Sequence, residues 1–142
     1  MVRPHSLVYL TALAFLCASA ARSDTTTVHV FNFEYSINPP GGPIVDPTIN
    51  VGDTIHWVWD GGFHNVQSVN GIPESFSSGF HQAPFSFDYT FTQVGNWAYY
   101  CSLHGFDNGD GTAGGMAGII HVVPEPAAAL LLVVGIVLLR RR

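Results

Sequence analysis

The sequence contains no lysine, and its five basic residues are Arg3, Arg22, Arg140, Arg141 and Arg142. Between Ser23 and Val123 there is no lysine or arginine at all. Nine acids occupy that span: Asp24, Glu34, Asp46, Asp53, Asp60, Glu74, Asp88, Asp107 and Asp110. Nine acids and no such bases make its formal charge −9, against −5 for the whole chain. Such a surface repels phosphate backbones and anionic lipid, which argues against a nucleic-acid partner. A basic protein would be attracted, although plain solubility is served equally well.

Sulfur is nearly as scarce. Of two cysteines, Cys17 falls in the apolar N-terminal stretch, and Met116 is the one methionine beyond Met1. Without Cys17, Cys101 has no partner for an internal disulfide. Outside the two ends no window of helical length shows a 3.6-residue period. Internal repeats, low-complexity runs, paired catalytic carboxylates and nucleophile motifs are also missing.

Both ends read as processing segments. Residues 1–20 have the features of a signal peptide: Arg3, the apolar run "LVYLTALAFLCA" and the small-residue site Ala18-Ser19-Ala20. Leu16 precedes Cys17 where a lipoprotein signal wants a small residue, which argues against a lipid anchor. Residues 124–142 carry the uncharged run Ala127 to Leu139, closed by three arginines. Thirteen helical residues cover only ~20 Å of a ~30 Å hydrocarbon core, a marginal span. The arginines would hold the C-terminus in the cytoplasm and leave the domain outside.

Val123-Pro124-Glu125-Pro126, the short apolar run and the arginine cluster together resemble the PEP-CTERM sorting signal of bacterial exported proteins. That resemblance implies a sorting enzyme acting near the Pro-Glu-Pro motif. The domain would then lie in the periplasm or at the cell surface, touching membrane only through the C-terminal segment.

Residues 21–123 form one domain, long enough to bury roughly 60–70% of its unfolded surface. "TTTVHVFNFEY", "TINVGDTIHWVW", "HNVQSV", "FSFDYTF", "QVGNWAYYC" and "AGIIHVV" alternate or are rich in β-branched and aromatic residues. They lie between turn-rich breaks. Seven or eight short strands at this spacing predict an all-β antiparallel sandwich or barrel. Trp57, Trp59, Trp97, Phe87, Phe91 and Tyr99 are expected to pack the interior, with Phe76 and Phe80 buried under a loop.

Cys101 ends a predicted strand and His104 follows three residues later. His64 opens another strand after the Asp60-Gly61-Gly62-Phe63 turn, and Met116 opens the last strand after a glycine-rich loop. A lone exported cysteine is an intermolecular partner, a reactive thiol or a metal ligand. Bound to metal it would be held deprotonated. Two imidazoles, a thiolate and a distant thioether are the donors of a blue-copper site, whereas structural zinc prefers four Cys or His ligands. His29, His56 and His121 fall within strands and read as sheet residues, and His81 as a loop residue.

In order and separation, "INVGDTIHWVW", "FHNV", "VGNWAYYCSLHG" and "GGMAGIIHV" resemble the plastocyanin/halocyanin-type cupredoxins. The resemblance spans about Thr48 to Val122. It implies a Greek-key β-sandwich and one type 1 copper ion cycling between Cu(I) and Cu(II), with His64, Cys101, His104 and Met116 as ligands. Asn65 matches the asparagine whose side chain ties the ligand loops together, its alternative being an ordinary turn residue. The implied role is single-electron transfer between redox protein partners. Copper storage or delivery is the alternative. A copper enzyme of this class relays electrons through a histidine beside the cysteine, whereas Tyr100 and Ser102 flank Cys101 here. One departure stands out: eleven residues separate His104 from Met116. "GFDNGDGTAGG" fills that gap as a long loop, and within it Asp107-Asn108-Gly109-Asp110-Gly111 lacks the EF-hand spacing of a calcium loop and reads as a solvated, flexible loop. Met116 as an ordinary core residue is the competing assignment.

Overall fold

The computed structural model describes residues 22–126. The stretch expected to be a signal peptide and the apolar part of the C-terminal segment lie outside them. Among the described residues no helix is long and apolar enough to cross a membrane.

Every named element is a β-strand. β1 (Thr25–Phe31), β2 (Glu34–Ser36), β4 (Thr54–Trp59) and β8 (Ser86–Thr90) form one sheet in the order β2-β1-β4-β8. β3 (Thr48–Asn50), β6 (Gln67–Ser68), β9 (Gly95–Asp107) and β10 (Ala113–Val123) form the second, in the order β3-β10-β9-β6. β5 (Phe63–His64) and β7 (His81–Gln82) make a separate two-stranded ribbon. The two main sheets hold eight strands, within the seven or eight expected, and the ribbon adds two more.

Alternation decides which way each strand faces. On β4, Ile55, Trp57 and Trp59 are buried while Thr54, His56 and Val58 are not. On β10, Met116, Ile120 and Val122 point inward. These side chains meet between the sheets with Val28, Val30, Tyr35, Phe91, Tyr99 and Cys101. Trp57 is the hub. Its ring lies 5.5 Å from Phe76, 5.6 Å from Phe87 and 5.6 Å from Tyr99. Each buried aromatic of this size contributes on the order of 2–3 kcal/mol.

Three features differ from the sequence reading. β1 pairs with β4, and β10 with β3, in parallel, so the sheets are mixed rather than purely antiparallel. Strand direction depends on how the chain crosses between sheets, which no local pattern encodes. The run Thr25 to Tyr35, which reads as one strand, is a hairpin that turns at Asn32-Phe33. Phe80 is exposed and stacks on Phe63 at 5.8 Å instead of entering the core. Trp97 and Phe87 pack against the core while remaining partly exposed, as strands with one solvated face allow.

Three tyrosines couple this core to alkaline pH. Burial raises Tyr35 and Tyr99 well above the usual phenol value. Burial and a hydrogen bond to Glu74 push Tyr89 up to about 12. Above the ordinary value of 10.0 the unfolded chain releases these protons while the folded chain keeps them. Their stabilisation is therefore complete below pH ~10 and declines as pH rises toward and past the folded-state values. The urea midpoint should hold up to about pH 10 and fall from there to pH 12; a flat profile over that upper interval would contradict this.

Candidate metal centre

Rarity in the sequence becomes proximity in space. The ligand atoms of His64, Cys101 and His104 all lie within 4.8 Å of one another. Cys101 Sγ is 3.4 Å from His104 Nδ1 and 3.9 Å from His64 Nδ1. The two Nδ1 atoms are 3.1 Å apart. Donors sharing an ion at roughly 2.0–2.3 Å are necessarily separated by about 3–4 Å. The trio fits a metal on that test. Both rings turn the same nitrogen toward the sulfur, as a common target requires.

Backbone geometry places three of the four candidate ligands at one strand irregularity. β9 and β10 pair regularly up to Tyr100↔Ala117 and resume at Gly105↔Gly115. In between, Cys101, Ser102, Leu103 and His104 stand opposite Met116 alone. An irregularity of this type re-aims side chains. Cys101 and Met116 turn into the same apolar cluster, and His104 stays at the surface. Close approach at its outer edge demands glycine. A Cβ on Gly115 would lie 2.6 Å from the His104 carbonyl oxygen, and one on Gly105 2.6 Å from that of Met116.

The gap between His104 and Met116 is therefore mostly paired strand, and only residues 108–112 form an exposed turn, where a solvated loop was expected. Residues Gly105 to Asp107 pair with Ala113 to Gly115 as a hairpin extension of the second sheet. The turn is closed by Asn108 N–H donating to Thr112 O at 3.0 Å. Asn70 anchors it, donating from its backbone N–H (2.8 Å) and its side-chain amide (2.9 Å) to Asp107 Oδ2. The extra residues project outward and return the chain to Met116.

His64 enters from the ribbon. Its backbone carbonyl accepts from Trp59 Nε1 at 3.2 Å. Gly62, at φ 76°, leaves room for the far edge of the ring, since a Cβ there would collide with His64 Nε2. Burial, and then the His104 ring, hold His64 below the ordinary histidine range. Both effects favour the neutral, metal-competent imidazole.

No protein-family profile matches the sequence, and no curated relative matches it. Solved structures do match. An oxidised amicyanin variant superposes with a TM-score of 0.51 at 23% identity, covering 68% of this chain and 80% of that one. A reduced variant gives 0.52 at 22% identity, covering 75% and 88%. A reduced Cu(I) form of another amicyanin variant at pH 4 gives 0.52 at 23%, again covering 75% and 88%. The fold is that of a cupredoxin.

On this cupredoxin scaffold the remaining sequence assignments are placed as follows. Asn65 makes the tie between ligand loops: its Oδ1 accepts from Ser102 N–H at 2.8 Å, joining the residue after His64 to the residue after Cys101. Its own carbonyl accepts from Tyr35 OH at 2.5 Å. Met116 is buried in the cluster that holds Cys101. Among the described residues the other histidines do not join the trio, although His81 pairs with His64 across the ribbon. His29 bonds Asp60 and His56 bonds Asp88, both at 2.6 Å, and His121 bonds Asn96 at 2.7 Å. His81 lies flat on Phe85 with ring centroids 3.5 Å apart.

Sequence reasoning missed Trp59, Gly62 and Phe33 as neighbours of the trio. Gly62 carried a signal as the last glycine before His64. Asn32 also carried one, because asparagine tolerates the left-handed turn conformation better than most residues. Phe33 carried none.

Proposed function

We propose that this chain is an exported type 1 copper protein that carries single electrons between partners. One observation supports this above all: a buried thiol and two imidazoles converge at one end of a cupredoxin fold, in a domain with no other cysteine. Met116, buried beside Cys101, is assigned as the weak axial donor. When bound there, copper supplies a one-electron couple between Cu(I) and Cu(II).

The protein's contribution is constraint. Cys101, His104 and Met116 belong to one backbone irregularity, and Asn65 links it to His64. Donors held this way change little between oxidation states, which lowers the reorganisation needed for transfer. His104 is the exposed member and offers the shortest path to solvent. Cys101 is flanked by Tyr100 and Ser102, without the adjacent histidine that would relay electrons to a second copper centre. A carrier is the better reading than an enzyme. The plastocyanin/halocyanin character of the motifs and the two processing signals complete this assignment, with export by the N-terminal segment and sorting at Pro-Glu-Pro.

Docking is assigned to the apolar surface around His104. Leu103 and Phe106 are 53% and 60% exposed, and Phe63, stacked on Phe80, lines one cleft with Leu103 and His104. Arg22 is the only lysine or arginine in the domain around them, so a basic redox protein is the matching partner. Leu103→Asp or Phe106→Asp should slow electron exchange with that partner about tenfold, equivalent to ~1.4 kcal/mol. The visible copper spectrum should stay intact. Stopped-flow rates equal to wild type would remove the patch from the proposal.

The assignment is tested by loading the purified protein with Cu(II) and measuring its visible spectrum, reversible voltammetry and self-exchange. An intense thiolate band with rapid self-exchange supports the carrier. A colourless protein, or one that surrenders copper to a metal-free acceptor without redox cycling, would favour storage or delivery instead.

A further inference from the structure

Phe33 sits where a phenylalanine is out of place. It occupies the two-residue turn between β1 and β2 at φ 66°, after Asn32 at φ 38°. Hairpin turns of this kind favour Asn-Gly or Asp-Gly, because a bulky L residue is strained at positive φ and glycine is not. Core burial does not offset the strain, since Phe33 remains 59% exposed. What the ring does have is two neighbours. Its centroid lies 4.6 Å from that of His104 and 5.9 Å from that of His64, with interplanar angles of 79° and 84°. Both are the edge-to-face arrangement that aromatic pairs prefer. With Asn32, Gly62, Phe63 and Leu103 it lines a shallow cleft over the two imidazoles. Strain retained at one position, together with contacts to two convergent side chains, points to a role at the site.

We propose that Phe33 is a positioning residue that braces the rings of His64 and His104 and screens them from water, an inference that rests on the copper reading of the site. Two consequences follow. The brace restricts rotation of the exposed His104 ring in the absence of any metal. The screening also disfavours the more highly charged oxidised state of a bound ion, because charge is costly where water is excluded. Removing the ring should therefore lower the reduction potential.

The test uses Phe33→Gly, which suits the turn, Phe33→Asn, which also tolerates it, and Phe33→Tyr, which keeps the ring. In metal-free protein the His104 ring-proton NMR resonances should lose their ring-current shift in Phe33→Gly and Phe33→Asn and keep it in Phe33→Tyr. The melting temperature should hold in the glycine variant, because the strain goes with the side chain. In copper-loaded protein the potential should shift downward in the first two variants and return in Phe33→Tyr. Unchanged histidine resonances in the ring-less variants, or an unchanged potential, would overturn the proposal. Should wild type fail to bind copper, the electron-carrier reading falls, while the metal-free resonances still decide whether Phe33 braces the rings.

Discussion

Cys101→Ser should abolish the intense visible band of the copper-loaded protein and weaken copper binding by more than ~100-fold. Loss of a group that merely supports a ligand costs about 10–100-fold in metal affinity, and Cys101 is the sulfur that both Nδ1 atoms face. Serine is nearly the same size. Its hydroxyl would remain within reach of His104 Nδ1, so the buried oxygen would not be stranded. The fold should survive, with a melting temperature close to wild type in the metal-free state. The deficit should be confined to metal, read by absorbance at the charge-transfer band and by competition with a copper chelator. A strong band persisting in Cys101→Ser would mean that sulfur is not a donor, and the proposed function would fail with it.

Glu74→Ala should cost stability without touching the metal centre. Glu74 is 2% exposed, and the domain's one arginine, Arg22, pairs with Asp24 instead. Hydrogen bonds stand in for a counter-ion. Tyr89 OH donates to Oε2 at 2.8 Å. Thr92 N–H and Gln93 N–H each donate to Oε1 at 2.7 Å, and Thr92 Oγ1 adds a fourth bond at 3.1 Å. This carboxylate pins the loop after β6 to the turn between β8 and β9. Bonds to a charged acceptor contribute about 1.5–3 kcal/mol each, but Thr92 and Gln93 lie near solvent and can recruit water. The net loss should be about 3 kcal/mol, or roughly 12–24 °C in melting temperature for a domain of this size. Glu74→Gln keeps the oxygen facing Thr92 and Gln93 and obliges Tyr89 only to accept instead of donate. It should lose about 1 kcal/mol. Thermal melts followed by circular dichroism separate the two variants. An alanine variant melting within a degree or two of wild type would refute the anchoring role.

The His64, Cys101 and His104 trio was readable in one dimension because its chemistry is rare. A single cysteine outside the N-terminal apolar stretch and a histidine three residues on leave few arrangements to consider. Strand identity was readable for the same local reason: alternation along Thr54 to Trp59 or Ala117 to Val123 is a property of neighbours in sequence. Direction and partner were not. The parallel pairing of β1 with β4 joins residues about 30 positions apart, and nothing within either strand specifies it. The glycines of "GFDNGDGTAGG" read as loop by composition. Gly109 and Gly111 do lie in a turn, but Gly105, Gly114 and Gly115 are paired strand, and close backbone approach at Gly105 and Gly115 leaves no room for Cβ atoms, a constraint visible only once both strands are in place.

Composition and pattern alone determined that this protein is a β-structure with an anionic domain and one soft donor group, because charge, sulfur content and two-residue alternation are carried by the residues themselves. Tertiary structure decided the rest. It set the 3–4 Å convergence of His64, Cys101 and His104, the hairpin that returns the chain to Met116, the four donors gathered by Glu74, and the aromatic ring of Phe33 against two imidazoles. Each is a contact between segments far apart in the chain, and its geometry exists only after the two sheets have closed on a common core.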